Sequence, residues 1–116
     1  MNQLKHISSS EFESEVLMSD TPVLVDFYAT WCMPCQLLSP VLEKLAEEFR
    51  GRVKFVKVDT DQEPSLAAAE EIRGVPTMKI FHRGSVQDTI VGLAPLPTLR
   101  AKLEASALNI APPAVV

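Results

Sequence analysis

Short apolar runs alternate along the chain with longer stretches in which apolar residues return every three or four positions. The first run, Leu4 to Ile7, is short and alternating, and reads as a strand. Behind it stand Ser8-Ser9-Ser10-Glu11, where Ser8 with Glu11 or Ser10 with Glu13 offers a capping box for a helix over about 9–18. Asp20-Thr21-Pro22 then forms a turn, and Val23 to Ala29 is a continuous apolar run of strand length broken by one carboxylate, Asp26. Such a run predicts a strand buried on both faces.

From Cys32 to Arg50 the apolar residues Leu38, Leu42, Leu45 and Phe49 keep helical spacing, and Gly51 follows as a helix-ending residue. This predicts an amphipathic helix, with Pro40 as a point of kinking. Val53 to Asp59 returns to strand composition, and Pro64 opens a helix through Glu71. Met78, Ile80 and Phe81, the turn residues His82-Arg83-Gly84-Ser85, and Val86 to Val91 read as an antiparallel hairpin; a helix over about 97–107 follows. The order β-α-β-α-β-α-β-β-α predicts an α/β domain with a mixed central sheet of about five strands flanked by about four helices. The domain is expected to span 1–108, with 109–116, which contains Pro112-Pro113, as a flexible tail. No internal repeat or second domain is visible.

Composition narrows the function. At 116 residues with 47% apolar content, the chain can build one core without disulfide staples. A net charge of −4 and the absence of any Lys/Arg block argue against nucleic acid or an anionic membrane as partner. The first sixteen residues hold no apolar stretch of signal-peptide length, and no run approaches the ~20 apolar residues that span a bilayer. The expected compartment is the cytoplasm, and the two cysteines agree with it, because secreted domains of this size usually carry four or more.

Those cysteines, Cys32 and Cys35, stand at i and i+3 where a strand gives way to a helix, so both side chains share one helical face and can close a disulfide. Cys32, nearer the helix N-terminus, is expected to be the exposed, readily ionised thiol, and Cys35 the buried one. One attacks a target disulfide and the other resolves the mixed disulfide. Pro34 fixes the backbone in the first turn. The bland alternatives are half of a zinc site or a pair of inert core thiols, but His6 and His82 are isolated, lack finger-like spacing and read as surface residues, so no metal is expected.

Asp26 is either a proton acceptor for Cys35 with a raised pKa or an aspartate reaching solvent at a strand end. Lys57 is either its auxiliary neighbour or a solvated strand lysine. Trp31 and Tyr28 could be core aromatics, although a tryptophan directly before the nucleophile is better placed to border an exposed site. The methionines read as core filler.

The segments VLVDFYATWCMPCQLLSPVLEKLA, VKFVKVDTD, IRGVPTMKIFHRG and Val91-Gly92 resemble the thioredoxin family in residues and in order, over about 12–103. The resemblance implies the thioredoxin fold and a protein-disulfide reductase. It implies a cis Val75–Pro76 peptide facing the dithiol, and a flat docking surface formed by Trp31, Pro34, Gly74, Val75, Pro76, Gly92 and Leu93. It also implies a chain that binds no cofactor and is recharged by an NADPH-dependent thioredoxin reductase, acting on protein disulfides as a monomer. Three positions depart from the family pattern: Met33 stands where glycine is usual, Gln36 where lysine is common and Tyr28 where tryptophan is frequent. Met33 adds apolar bulk to the docking face. A thioredoxin-fold interaction module that does not depend on redox cycling is the competing reading, disfavoured by the presence of Cys32, Cys35, Asp26 and Pro76 together.

Overall fold

The computed structural model describes residues 4–108; the expected tail at 109–116 lies outside the described residues. Its elements follow the predicted order. They are β1 (Lys5–His6), α1 (Ser9–Phe12) running on into a π-helical stretch (Glu13–Leu17), β2 (Val23–Tyr28), α2 (Met33–Glu48), β3 (Lys54–Asp59), α3 (Pro64–Ala69), β4 (Thr77–His82), β5 (Ser85–Val91) and α4 (Leu96–Leu108). The five strands form one sheet in the order β1-β3-β2-β4-β5. β3 is parallel to β1 and β2, while β4 is antiparallel to β2 and β5. This is the thioredoxin fold.

The side-chain period of two along the strands sorts them onto two cores. Val23, Val25 and Phe27 of β2 join Val56, Val58, Phe12, Val16 and Leu66 on one face. Leu24 joins Phe55, Met78 and Ile80 with Leu38, Leu42, Leu45, Leu99 and Leu103 from α2 and α4 on the other. Each fully buried Leu stabilises the fold by about 1.5–3 kcal/mol. Asp26, two residues after Leu24, therefore points toward α2, the helix that begins with the dithiol.

Several local expectations need correction. The Ser8 N–H does donate to Glu11 Oε1 at 2.9 Å, but the helix it opens is α-helical for only one turn. Met18 N–H reaches back five residues to the Glu13 carbonyl, widening the second turn. α2 begins after Cys32, which is its N-cap, and holds Pro40 inside it. Met78 is core, but Met18 and Met33 are 71% and 61% exposed, so the methionines do not all fill the core. His82 is half-buried, with a buried Nε2 that has no hydrogen-bond partner, and is not the surface residue expected.

Candidate active site

β2 ends at Tyr28, and the chain turns sharply into α2. Cys32 N–H donates to the Ala29 carbonyl at 3.2 Å, closing the turn. The Cys32 backbone is extended (φ −86°, ψ 112°), as an N-cap requires, and its Sγ accepts the Cys35 N–H at 3.1 Å. A sulfur thereby takes the place of the usual capping oxygen on one of the orphan N–H groups of the helix start. Pro34 falls in the same turn, where a missing N–H leaves nothing unpaired. The two Cα atoms are 5.2 Å apart, and the two sulfurs are joined in a disulfide.

The expected contrast between an exposed Cys32 and a buried Cys35 is absent, since the residues are 3% and 5% exposed. The cap explains this: Cys32 Sγ turns inward to bond Cys35 and is covered by Val75, which packs on the cluster of Ala29, Cys32 and Cys35. The Val75 carbonyl oxygen lies 3.7 Å from Cys32 Sγ. What separates the sulfurs is therefore the field at the helix start. A thiolate at Cys32 would receive the Cys35 N–H and the positive end of the α2 dipole, and Cys35 lies a turn further in.

Two loops close over the pair. Val75–Pro76 is cis, and Thr77 Oγ1 donates to the Gly74 carbonyl at 2.7 Å. Gly92 N–H donates to the Pro76 carbonyl at 2.8 Å, bringing Gly92 and Leu93 to the same side. Gly92 has φ +85°, a conformation that favours glycine. Trp31, Met33 and Leu93 are 70%, 61% and 51% exposed, Pro34 and Gly74 are exposed and Val75 is partly so, whereas Pro76 is buried beneath them.

Sequence reasoning missed three contributors. Asp61 accepts the Trp31 Nε1–H at 2.8 Å and fixes the indole. Leu37, 58% exposed, stands one turn from Met33 on the same face of α2. A groove of about 220 Å³ beside Trp31 is lined by Ile72, Arg73, Gly74 and Val75. Asp61 and the groove carry no local signal, because each depends on an approach from another element; Leu37 was legible from spacing alone, since it falls off the Leu38-Leu42-Leu45 stripe at i+4 from Met33.

Behind the disulfide, Asp26 is 2% exposed, and its Oδ1 is buried without a hydrogen-bond partner. Burial pushes its pKa up from 3.8 to about 7, and the Lys57 charge opposes that rise. Asp26 and Lys57 are paired in the β2–β3 ladder. Asp26, Tyr28, Cys35, Ser39 and Lys57 line one cleft of about 200 Å³, so Asp26 and the inner cysteine border the same space. Tyr28 is half-buried; its hydroxyl lies 3.0 Å from His6 Nδ1, and the Lys57 ammonium sits 4.6 Å from its ring centroid. Gln36 Nε2–H donates to the Thr30 carbonyl at 3.1 Å and so braces the turn where the family more often has lysine.

Among the described residues no group of three or more His, Cys, Asp and Glu side chains is placed to hold a metal ion, and no helix is long and apolar enough to cross a membrane. The redox group is the chain's own disulfide.

Comparison with known proteins agrees with this geometry. The thioredoxin family model matches residues 3–105. Thioredoxin 1 of Nostoc sp. is 44% identical over 104 residues, covering 90% of this chain and 97% of that one. Thioredoxin 1 of Synechococcus elongatus is 45% identical over 98 residues, covering 84% and 92%. Thioredoxin M4, chloroplastic, of Arabidopsis thaliana is 43% identical over 102 residues, covering 88% and 53%. With the dithiol capping α2 and the family match running over nearly the whole chain, the protein belongs to the thioredoxin family and is a thiol–disulfide oxidoreductase that reduces protein disulfides through Cys32 and Cys35.

Proposed function

We propose that Cys32 is the attacking thiol and Cys35 the resolving one. The observation that carries this assignment is the Cys35 N–H donated to Cys32 Sγ at the start of α2, an arrangement that favours negative charge on Cys32. Its thiolate attacks one sulfur of a target disulfide, and the other target sulfur leaves as a thiolate. Asp26 accepts the proton of Cys35 through the shared cleft. Cys35 then attacks Cys32 Sγ, expelling the second target sulfur, so that two electrons pass to the target and the chain is left as the disulfide. A carboxyl with a pKa of about 7 is matched to that proton transfer near neutral pH. Lys57 is auxiliary, its charge moderating the penalty on ionised Asp26.

Pro34 holds the first turn of α2, and Pro76 supports the loop over the dithiol. Trp31, Met33, Gly74, Val75, Gly92 and Leu93 form the docking surface, where the Val75 backbone pairs with an extended target segment. The surface is mostly apolar, which suits many targets. NADPH-dependent thioredoxin reductase recharges the disulfide, and the chain acts as a monomer without a nucleic-acid or membrane partner. The use of only two cysteines, both in one redox motif, supports the cytoplasm as its compartment; the chloroplastic relatives name the alternative, which cell fractionation distinguishes. Reduction of a protein disulfide by this chain, NADPH and purified thioredoxin reductase tests the assignment. Turnover is expected with the unmodified chain and not with Cys35→Ser.

A further inference from the structure

His6, Tyr28 and Lys57 come from three neighbouring strands and meet above the cleft behind the disulfide. β1 and β2 are not adjacent, because β3 lies between them, and in the ladders Lys57 is paired with both His6 and Asp26. Yet His6 reaches Tyr28 across β3: Nδ1 and the phenol oxygen are 3.0 Å apart, and the rings meet edge to face with centroids at 5.7 Å and planes at 83°. The Lys57 ammonium rests 4.6 Å from the centroid of that same Tyr28 ring.

We propose that His6 is a positioning residue, which through the Tyr28 hydroxyl holds the ring that seats the Lys57 ammonium beside Asp26. A lysine head on a flexible stem is strongly hydrated and drifts toward water, whereas an aromatic face held in place gives it a fixed seat. The family's more frequent tryptophan would offer the ring face but no hydroxyl for His6 to hold. Tyr28 supplies both.

The protonation states agree with this arrangement. Burial first, then the Lys57 charge, lowers the His6 pKa against an opposing pull from Asp59. The imidazole is therefore neutral near neutral pH, and Nδ1 can accept the Tyr28 hydroxyl proton. Burial, Asp59 and Asp26 raise the Tyr28 pKa, so the phenol keeps that proton to donate. Glu11, Asp59 and Glu63 are the acidic groups lining the hollow on the other side of His6.

The inference rests on the proposed pairing of Lys57 with Asp26, and its test separates the two. Titration of the Asp26 carboxyl by carbon-13 NMR is followed in the oxidised full chain for the unmodified protein, His6→Ala, Tyr28→Phe, the double variant and Lys57→Met. Releasing the ammonium to water is expected to raise the Asp26 midpoint in His6→Ala and in Tyr28→Phe, in both by less than Lys57→Met does. The double variant is expected to go no further than the larger single one, and His6→Ala is expected to add nothing in a Lys57→Met background. Tyr28→Phe keeps the ring, so its result does not depend on repacking the site. An unmoved or lowered midpoint in both single variants, or a His6→Ala shift that persists without Lys57, overturns the proposal. The pH profile of the resolving step, measured on the same variants, addresses Asp26 itself. Carboxyl midpoints that move while that profile stays fixed uphold the role of His6 and remove Asp26 as the proton acceptor.

Discussion

Asp26 stands opposite Lys57 in the β2–β3 ladder, yet the Lys57 ammonium lies over the Tyr28 ring and one Asp26 oxygen is buried without a hydrogen bond. The carboxyl is thus close to a positive charge and still incompletely compensated. Its pKa of about 7 expresses that balance, with burial as the larger effect.

Stability should therefore depend on pH through Asp26. An acid whose folded pKa lies above its unfolded value binds its proton more tightly in the native state, so it penalises the fold as pH rises above the unfolded value. The penalty grows from about pH 4 and levels off above about 7. Asp26→Ala should stabilise the oxidised protein by on the order of 1–3 kcal/mol at neutral pH, with a smaller gain in acid. It should also slow the resolving step. Denaturant titrations at acidic and neutral pH measure the first effect, and a variant less stable at both refutes it.

Met33 is 61% exposed directly beside Cys32 and carries no charge. Met33→Gly should leave reductase activity in place while changing the ranking of targets. Partial burial of such a side chain against a target is worth on the order of 1 kcal/mol, or about fivefold in kcat/KM. Rates for several disulfide proteins, measured beside the reduction potential, test this. A large shift in potential with all target rates moving together would show that Met33 tunes redox poise instead.

The Trp31 Nε1–H bond to Asp61 fixes an indole that is otherwise 70% exposed. Asp61→Ala should lower kcat/KM for protein disulfides by about twofold, the scale of one exposed hydrogen bond, without moving the reduction potential. Stopped-flow reduction, with Trp31 fluorescence as the reporter, measures it. An unchanged rate would mean that the indole needs no anchor.

Leu42 lies wholly buried on α2, between the sheet and α4. Leu42→Ala should cost about 2–5 kcal/mol of stability through lost burial and a residual cavity. Urea denaturation reads this directly. A cost below 1 kcal/mol would mean that the core collapses around the gap.

Features whose physics is local were legible in the sequence. The spacing of Leu38, Leu42, Leu45 and Phe49 marked α2, the cysteines at i and i+3 marked its start, and Asp26 stood out as a charge inside an apolar strand. Features made by tertiary approach were not. Cys32 is buried because Val75, 43 residues away, lies against it, and the His6–Tyr28 contact spans a strand that neither residue belongs to. The π winding of Glu13–Leu17 has no sequence signature, because apolar periodicity fixes a buried face, here Phe12 and Val16, and does not distinguish a bond four residues back from one five back.

The two cysteines are equally covered in the disulfide, and only the helix start distinguishes them, so their division of labour rests on the Cys35 N–H held by Cys32 Sγ. Cys32→Ser and Cys35→Ser, each reduced and mixed with a disulfide-containing protein, should behave differently on non-reducing gels. Cys35→Ser is expected to accumulate a covalent complex that dissolves on adding dithiothreitol, and Cys32→Ser to form none. Trapping by Cys32→Ser with an inert Cys35→Ser would reverse the polarity of the site and contradict the account.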